Sequence, residues 1–333
     1  MTPRITVGVP TYCGAENGED DLLGWCLGAV RLRTCSGVPH EVVVVDDSGK
    51  PWHQERSRAV AERHGARWLA HPENRGVAAS WNTLTRAAEA PLVALLNDDF
   101  YISRGWLDAL TYALEGNPGA GSFGLFAFFC NENDVPWLLD GPDATVTPVD
   151  FYTKMPAPEE AIEHTGREQP GRCMAPPGCG FGFRKEAWER VARERGREGG
   201  FDESLGKAFH EESMFGADCA ALGMPAYALQ WPACYTVMSA TFRRKPDWTR
   251  GVADLIAGPR RRFVEAWAGR VPEVAAELRA ALAAVERGRP GASETYPVHR
   301  HLMSRIPFQK VKWLDSDGPR EELVTGEEGF HAT

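Results

Sequence analysis

Val42-Val-Val-Val-Asp46-Asp47-Ser48 is an apolar run of four β-branched residues that leads directly into two carboxylates. The run predicts a buried strand, and the polar residues after it predict the end of that strand. In an open α/β sheet, ligands bind in the crevice beyond the carboxyl ends of the strands, so these acids are candidates for a binding site. A structural turn is the alternative, because Asp-Asp-Ser-Gly is also typical of turns.

The same arrangement recurs in Leu92-Val-Ala-Leu-Leu96-Asn97-Asp98-Asp99, where a second apolar run ends in neighbouring acids. Adjacent side chains on a strand point to opposite faces, so Asp98 and Asp99 can serve one ligand only where the strand ends and the backbone turns. The repulsion between two such acids suggests a cation between protein and ligand. Their oxygens suit Mg²⁺ or Mn²⁺, which take one or two protein carboxylates and fill the other positions with phosphate oxygens and water.

Around these two runs, short β-branched segments alternate with helical patterns, which predicts parallel strands joined by crossover helices. Strands are predicted at Ile5–Val9, Val42–Val45, Arg67–Leu69, Leu92–Leu96, Gly121–Phe129, Gly178–Phe183 and Ala226–Trp231. Helices are predicted at about 20–34, 53–64, 76–89, 106–114, 186–195, 211–222, 258–269 and 272–287. Several prolines between 131 and 171 predict long loops there, and a polar tail is predicted at the end.

Composition narrows the class of protein. The chain has 333 residues, 43% of them hydrophobic and 25% charged, which is typical of a soluble globular protein. The net charge of -9 makes nucleic acid a poor candidate partner. No run approaches the ~20 apolar residues that a membrane span needs. The eight cysteines form no C-x-x-C pair and predict buried free thiols. We therefore expect a cytoplasmic protein, with docking to a membrane surface left open.

Loops that bind phosphate through backbone amides have no counterpart in this sequence. Neither a Walker sequence nor a dinucleotide fingerprint follows a predicted strand. The glycines of Gly178-Cys-Gly180-Phe-Gly182 lie in an apolar strand pattern, and we interpret them as sites of close backbone packing. A bound metal would then take the role that backbone amides have in other phosphate sites.

His210-Glu211-Glu212-Ser213 opens a predicted helix. Acids in a first helical turn are favoured by the helix dipole, which is a complete structural explanation. The functional alternative is a general base, because partial burial raises the pKa of a Glu towards the value needed to deprotonate an acceptor hydroxyl. Spacing alone favours the structural explanation.

Taken together, these residues resemble glycosyltransferase family 2, whose members have the GT-A fold. Val7-Gly-Val-Pro10-Thr11-Tyr12 looks like that family's first strand and donor-binding turn, with Cys13 where an Asn is frequent. The run that ends in Asp46-Asp47 looks like its second-strand motif, and the resemblance gives Asp47 a contact with the nucleotide base.

The middle of the chain extends this resemblance. Asn74-Arg-Gly76 followed by Asn82 is similar to the family's segment before the metal motif, with Trp81 replacing the usual Arg. Asn97-Asp98-Asp99 is similar to its D-x-D region, with Asn in the first position. The resemblance implies that Asp99 ligates the metal and that Asp98 contacts the ribose or a metal-bound water. The donor-binding residues implied in this way are Pro10, Thr11, Tyr12, Asp47, Gly76, Asn82 and Asp98.

The catalytic half carries a third part of the resemblance. Gly200-Phe-Asp-Glu203 resembles the element before the family's catalytic helix, and Glu211-Glu212 stands in place of its Glu-Asp pair. The second position of that pair is the catalytic base, so the resemblance assigns this role to Glu212, with Glu211 beside it in the catalytic pair. Asp218 occupies the position of a frequent Arg.

The resemblance covers about residues 5–235 and implies an α/β protein of the GT-A type. The expected fold is an open, mostly parallel Rossmann-like sheet flanked by helices, with a C-terminal helical extension. Residues 1–240 would form the glycosyltransferase domain, divided into a nucleotide-binding half (1–115) and an acceptor and catalytic half (116–240). Residues 241–333 would form the extension and tail.

The implied activity is the inverting transfer of a sugar, hexosyl or related, from a nucleoside diphosphate sugar to an acceptor hydroxyl, dependent on Mn²⁺ or Mg²⁺. The acceptor could be a saccharide, a lipid-linked molecule or a small molecule. A nucleotidyltransferase of similar fold is one alternative, although the four acids between residues 16 and 21 argue against a triphosphate substrate. A non-catalytic sugar- or nucleotide-binding relative is the other, motivated by Asn97, Trp81 and Asp218. Metal-dependent release of nucleoside diphosphate would exclude it.

Overall fold

The structure, a computed structural model, describes residues 2–12, 22–34, 37–102, 104–129, 170–175, 178, 180–236, 248–289, 293–315 and 317–325. Every structural statement below refers to this part of the chain. The predicted loop segment lies outside it from residue 130 to residue 169, as do Cys13, Cys35, Cys130 and Cys179. The described cysteines Cys26, Cys173, Cys219 and Cys234 are buried free thiols, as predicted.

A central sheet organises the molecule. Its strands are β1 (Ile5–Thr11), β2 (His40–Asp46), β3 (Arg67–Ala70), β4 (Leu92–Leu96), β5 (Phe100–Tyr101), β6 (Ser122–Phe129), β7 (Gly171–Cys173), β8 (Gly180–Arg184) and β9 (Ala226–Thr236). Their order is β3-β2-β1-β4-β8-β6-β9-β5, with β7 also paired to β9. Strands β1, β2, β3, β4, β6 and β9 point in one direction and β5, β7 and β8 in the opposite one, so the sheet is mostly parallel.

Helices cover the sheet and connect its strands. They are α1 (Leu22–Arg33), α2 (Pro51–Arg63), α3 (Val77–Ala87), α4 (Trp106–Gly116), α5 (Lys185–Arg195), α6 (Glu211–Ala221), α7 (Trp248–Arg270), α8 (Ala275–Glu286) and α9 (Tyr296–Met303). No helix in the described ranges has the length and apolar character that crossing a membrane requires.

The two faces of the sheet pack into two apolar cores. Along β2, Val44 belongs to one core, whereas Val43 and Val45 belong to the other, because successive side chains of a strand point to opposite faces. A strand buried on both faces reads as a continuous apolar run, as Val42–Val45 does. The strands at both acidic motifs are therefore held rigidly, which fixes the position of the residues that follow them.

The glycines of β8 allow other elements to approach its backbone closely. A Cβ on Gly180 would lie 2.4 Å from the Phe100 ring, and one on Gly182 would lie 2.9 Å from Leu110. The prediction of close backbone packing is confirmed for these two positions. The strand begins at Gly180 rather than at the predicted Gly178.

The C-terminal part differs from the predicted helical extension with a polar tail. It contains the helices α7, α8 and α9, but also a hairpin of β10 (Lys310–Asp315) and β11 (Gly318–Leu323). Val311 and Trp313 of β10 belong to the core on the α4 side of the sheet, and Asn117 Nδ2 donates a hydrogen bond of 2.8 Å to the Lys312 carbonyl. The strand was missed because its buried residues alternate with exposed charged ones, which makes the segment look polar.

Candidate active site

The carboxyl ends of β1 and β4 meet around the side chain of Asp98. Thr11 Oγ1 donates a hydrogen bond of 2.7 Å to Asp98 Oδ2, and the backbone N–H of Tyr12 also bonds to this carboxylate. Burial raises the pKa of Asp98 to about 6, against the hydrogen bond from Thr11 and the charge of His53. Two of the predicted donor-binding positions, one from each strand end, are thus in direct contact.

The backbone turns directly after β4, at Asn97-Asp98-Asp99. The Phe100 N–H donates to the Asn97 carbonyl at 3.1 Å, and Cys26 Sγ of α1 donates to the same carbonyl at 3.5 Å. Asp98 and Asp99 are both partly buried. This turn, called the acidic turn below (residues 97–99), provides the change in backbone direction that two adjacent acids need in order to serve one ligand.

Asp46 and Asp47, at the end of β2, each hold an imidazole. His53 Nδ1 lies 2.6 Å from Asp46 Oδ2, and His71 Nδ1 lies 2.7 Å from Asp47 Oδ1. Burial would raise the pKa of Asp46, but hydrogen bonds from His53 and from Ser48 outweigh it and hold this pKa below its usual value. Sequence patterns did not point to either histidine, because each contact joins residues whose spacing carries no periodic signal.

Asp47 is engaged with the protein through both of its oxygens. The backbone N–H groups of Arg75 and Gly76 donate to Oδ1 and Oδ2 at 2.8 and 2.7 Å, and the residue is only 4% exposed. These bonds fix the turn that leads into α3. The predicted contact of Asp47 with a nucleotide base stays a prediction, and the observed bonds give this residue a structural role in the crevice wall.

Gly76 is required where the segment before α3 approaches the loop at 206–207. Its φ is +96°, and a Cβ would lie 2.7 Å from the Gly206 carbonyl oxygen. The Val77 N–H donates to the Lys207 carbonyl at 2.9 Å. Because no side chain fits there, the first half of the chain docks closely on the loop that precedes α6.

Asn82 lies inside the protein and not on a ligand-facing surface. It is 1% exposed, and its Oδ1 accepts from Trp188 Nε1 at 2.9 Å and from the Phe201 N–H at 3.1 Å. Its Nδ2 donates to the Phe201 carbonyl at 3.0 Å and to Glu203 Oε1 at 2.9 Å. The predicted direct donor contact of Asn82 does not fit this placement, because both its amide oxygen and its amide nitrogen already make two hydrogen bonds within the protein.

Trp81 and Asp218, two of the departures from the family pattern, have structural explanations. The Trp81 ring packs edge-on against Phe181 and Phe201, with centroids 5.2 and 5.1 Å apart. Asp218 is fully buried and forms ion pairs with three arginines. The partners of Asp218 are Arg195 at 2.8 Å, Arg197 at 2.5 Å and Arg270 at 2.7 Å. These substitutions belong to the core and to an ion cluster that ties α5, α6 and α7 together.

Glu211 and Glu212 open α6 and have different surroundings. Glu211 is 2% exposed, and burial together with the charge of Glu212 raises the pKa of Glu211 to about 8. Burial also raises the pKa of Glu212, but the charge of His210 opposes this. Burial thus raises the pKa of both acids, but the neighbouring charges act in opposite directions: Glu212 raises the pKa of Glu211, whereas His210 lowers that of Glu212.

Glu212 lies at the same edge of the sheet as the acidic turn. Strands β4 and β8 are antiparallel, and Leu96 pairs with Gly180, so the residues before Gly180 lie beside those after Leu96. A Cβ on Gly178 would be 3.1 Å from Glu212 Cδ. The predicted base and the predicted metal-binding turn thus lie at the same end of the β4–β8 pair, although they are far apart in the sequence.

Comparison with known families identifies the family of this chain. A family described as glycosyl transferase family 2 matches residues 6–191, more than half of the chain. The chain belongs to that family. The matched part of this family 2 member ends within α5, so α6 with Glu211 and Glu212 lies beyond it. The assignment of those two residues rests on the sequence resemblance and on their position in the structure.

Two solved structures illustrate what this family 2 member is similar to. The crystal structure of GalNAc-T7 with UDP, GalNAc and Mn²⁺ has 14% identity and a TM-score of 0.51, over 71% of this chain and 44% of that one. The mannosyltransferase PcManGT from Pyrobaculum calidifontis, in complex with GDP-Man and Mn²⁺, has 21% identity and a TM-score of 0.48, over 85% of this chain and 76% of that one.

The chain thus spans less than half of the length of GalNAc-T7. No curated protein sequence matches it. With the sheet order described above, the GT-A fold predicted from the sequence is confirmed.

Proposed function

We propose that this chain transfers a sugar, a hexose or a related one, from a nucleoside diphosphate sugar to an acceptor hydroxyl, with inversion at the anomeric carbon. The observation that carries the proposal is the position of Glu212 beside Gly178, at the edge of the sheet where β4 ends in the acidic turn. A base on one side and a leaving-group site on the other are what a single displacement needs.

The acidic turn is the proposed metal site. Asp99, with Asp98 next to it, supplies the oxygen donors that Mn²⁺ and Mg²⁺ prefer. Among the described residues no group of three or more ligating side chains occurs, which fits a cation that takes its remaining ligands from substrate phosphate and water. When bound there, the cation would neutralise charge on the departing diphosphate.

The Glu211–Glu212 pair is proposed to handle the proton. The ionised Glu212 takes the proton of the acceptor hydroxyl as its oxygen attacks the anomeric carbon, while the bond from that carbon to the diphosphate oxygen breaks. Glu211 stays protonated, which limits the negative charge in this buried pair to one.

The donor is proposed to lie across the ends of β1, β2 and β4. Pro10 and Thr11 end β1 and Tyr12 follows it, and the contact between Thr11 and Asp98 places this segment against the acidic turn. Gly76 lies at the second strand end, where Asp47 binds its N–H.

The buried free thiols suit a reducing compartment, so we propose that the reaction takes place in the cytoplasm.

A panel of nucleoside diphosphate sugars, incubated with Mn²⁺ or with Mg²⁺, tests the proposal. We expect release of nucleoside diphosphate that stops on chelation. Asp99→Asn should lower the rate at least about 100-fold, since one well-placed charge contact is worth roughly 3 kcal/mol of barrier. Asp317→Asn, at a side chain 72% exposed in the C-terminal hairpin, is the matched control.

The alternatives give different results in the same assay. Binding of a nucleotide sugar without any turnover would support the non-catalytic relative, and turnover of a nucleoside triphosphate would support the nucleotidyltransferase. The structural explanations of Trp81 and Asp218 remove two of the three reasons for expecting an inactive protein.

A further inference from the structure

The backbone immediately before α6 is strained. Phe209 has a φ of 78° and His210 a φ of 69°. Each left-handed non-glycine residue costs about 1–2 kcal/mol and persists only when its surroundings hold it. These two residues directly precede Glu211 and Glu212, so whatever holds His210 also determines where α6 begins.

The contacts that hold His210 come from the C-terminal part of the chain. Its Nε2 lies 3.1 Å from Glu294 Oε1, and Arg260 Nε donates to the same oxygen at 2.9 Å. The imidazole stacks on Phe263 of α7, with ring centroids 5.7 Å apart and an interplanar angle of 29°. Glu294 is 6% exposed, so this set of contacts is buried.

Glu294 is charged in this environment. Burial would raise its pKa, but the hydrogen bond and charge of His210, together with Arg260, lower the pKa of Glu294 to about 2. A buried carboxylate with two nitrogen partners is an anchor whose loss leaves both partners without their acceptor. The contact with Glu294 therefore fixes both the position and the orientation of the His210 ring.

The charged groups packed around His210 come from three elements. Glu294 lies in the segment before α9, Arg260 lies in α7, and the Glu211–Glu212 pair belongs to α6. Within this group, the charge of His210 lowers the pKa of Glu212 against the effect of burial. A change in the position or charge of His210 therefore changes the pKa of Glu212.

We propose that Glu294 and Arg260 act as positioning residues, which hold His210 and through it set the orientation and charge environment of Glu212. The inference rests on the proposed function, in which Glu212 is the base. It makes the segment from α7 to α9, which lies outside the family match at 6–191, part of the machinery of the site.

The first test compares Glu294→Gln with Glu286→Gln. Glu286 binds Arg261, the residue after Arg260 on α7, at 2.7 Å. This second ion pair lies at the protein surface and does not include His210. We expect Glu294→Gln to lower kcat ten- to a hundredfold, as a small misplacement of a catalytic group does, with the donor KM unchanged. Glu286→Gln should leave both constants unchanged. Equal behaviour of the two variants would overturn the proposal.

The second test separates positioning and charge from a purely structural role. Asn is tolerated in the left-handed region, so His210→Asn keeps the backbone while it removes the imidazole that contacts Glu294 and Phe263. We expect the acid limb of the kcat–pH profile to move to higher pH, because the contribution of His210 that lowers the pKa of Glu212 is lost. A fall in kcat that is the same at every pH would mean that His210 is structural only.

A third measurement needs no turnover. The Met214 N–H donates to the His210 carbonyl at 2.8 Å, so amide hydrogen exchange in peptide 209–214 reports on the start of α6. Exchange should be at least about tenfold faster in Glu294→Gln than in Glu286→Gln; equal rates would overturn the positioning claim even if no donor is found. Full activity of Glu212→Gln would instead overturn the base assignment and leave the exchange result standing.

Discussion

At the scale of single residues, the two acids at the start of α6 have different neighbours, although burial raises the pKa of both. Glu211 is buried, and its Oε1 has no hydrogen-bond partner among the described residues. Glu212 has the charge of His210 beside it and contacts Gly178. The proposed function therefore gives two adjacent carboxyls of the same type different tasks on the basis of their environments.

Replacing the proposed base tests its role directly. Glu212→Gln keeps the size of the side chain but cannot accept the proton, so we expect kcat to fall about 10²- to 10⁴-fold. The donor Kd, measured by calorimetry with Mn²⁺ present, should be unchanged. In the wild type the rate should rise with pH as Glu212 ionises, and this dependence should vanish in the variant. A variant with full activity would show that another group takes the proton.

Glu211 should make the free energy of unfolding depend on pH. Its pKa is raised from 4.5 to about 8 in the folded protein, so its stabilising contribution is complete below pH 4.5 and is lost as the pH rises through 8. Glu211→Gln should therefore be more stable than the wild type at pH 9, by about 1.4 kcal/mol for each pH unit by which the pKa of Glu211 is raised, and nearly equal at pH 5. Urea unfolding at both values measures this; a constant difference between the two proteins would contradict it.

The residues of the site were predictable from the sequence to different degrees. Asp98 and Asp99 were singled out because they follow an apolar strand directly, whereas Thr11 was singled out only through the family resemblance. The roles of His53 and His71 could not be predicted, because they depend on hydrogen bonds between side chains of separate elements. For Asn82 the motif was recognised, but the pattern did not reveal that its amide faces the interior.

At the scale of elements, the contact between the residue before β8 and the first turn of α6 shapes the site. Gly178 precedes β8, and the Glu212 side chain occupies the space that a Cβ at this position would touch. The absence of a side chain at Gly178 therefore sets how close α6 comes to the sheet edge.

Adding one methyl group here should change activity more than stability. In Gly178→Ala the new Cβ would be 3.1 Å from Glu212 Cδ and 3.3 Å from Oε2, which forces the side chain to move by a few tenths of an ångström. We expect kcat to fall about tenfold, with a loss of stability below about 1 kcal/mol. Gly37→Ala, where a Cβ would meet nothing within 4 Å, is the control. Equal kcat values for the two variants would mean that this contact does not position Glu212.

Most sheet strands were predicted near their observed bounds, because buried runs of β-branched and aromatic residues carry a strong local signal. The strands β5 (Phe100–Tyr101) and β7 (Gly171–Cys173) were missed. Two or three residues are too few for any period to appear, and both strands exist because a pairing partner, β9, is already in place.

At the scale of the whole molecule, the C-terminal helices are continuous with the catalytic half. Met214 and Ala217 of α6 share one buried apolar cluster with Phe263, Trp267 and residues of α8 and α9. Beside this cluster, Asp218 binds arginines of α5, α7 and the loop after α5. The boundary predicted at residue 240 follows the end of the family resemblance at about residue 235, and such a resemblance carries no information about packing between segments.

The ion cluster around Asp218 should contribute strongly to global stability. Asp218→Asn leaves three arginines without their shared carboxylate, and breaking a buried ion pair from one side costs about 3–5 kcal/mol. The free energy of unfolding, measured in urea, should fall by this amount, whereas Asp317→Asn at the exposed hairpin should change it by less than 0.5 kcal/mol. A small effect of Asp218→Asn would show that water replaces the carboxylate around the arginines.

The buried cluster shared by α6 and the C-terminal helices also limits how this protein can be recombined with its relatives. The part that matches the family model ends at residue 191, and a graft that joined 1–240 to a foreign tail would replace one side of the cluster that supports α6. The smallest unit that can be exchanged with this cluster intact therefore contains α6 together with α7, α8 and α9. Under the proposed function, such a unit would bring its own general base with it.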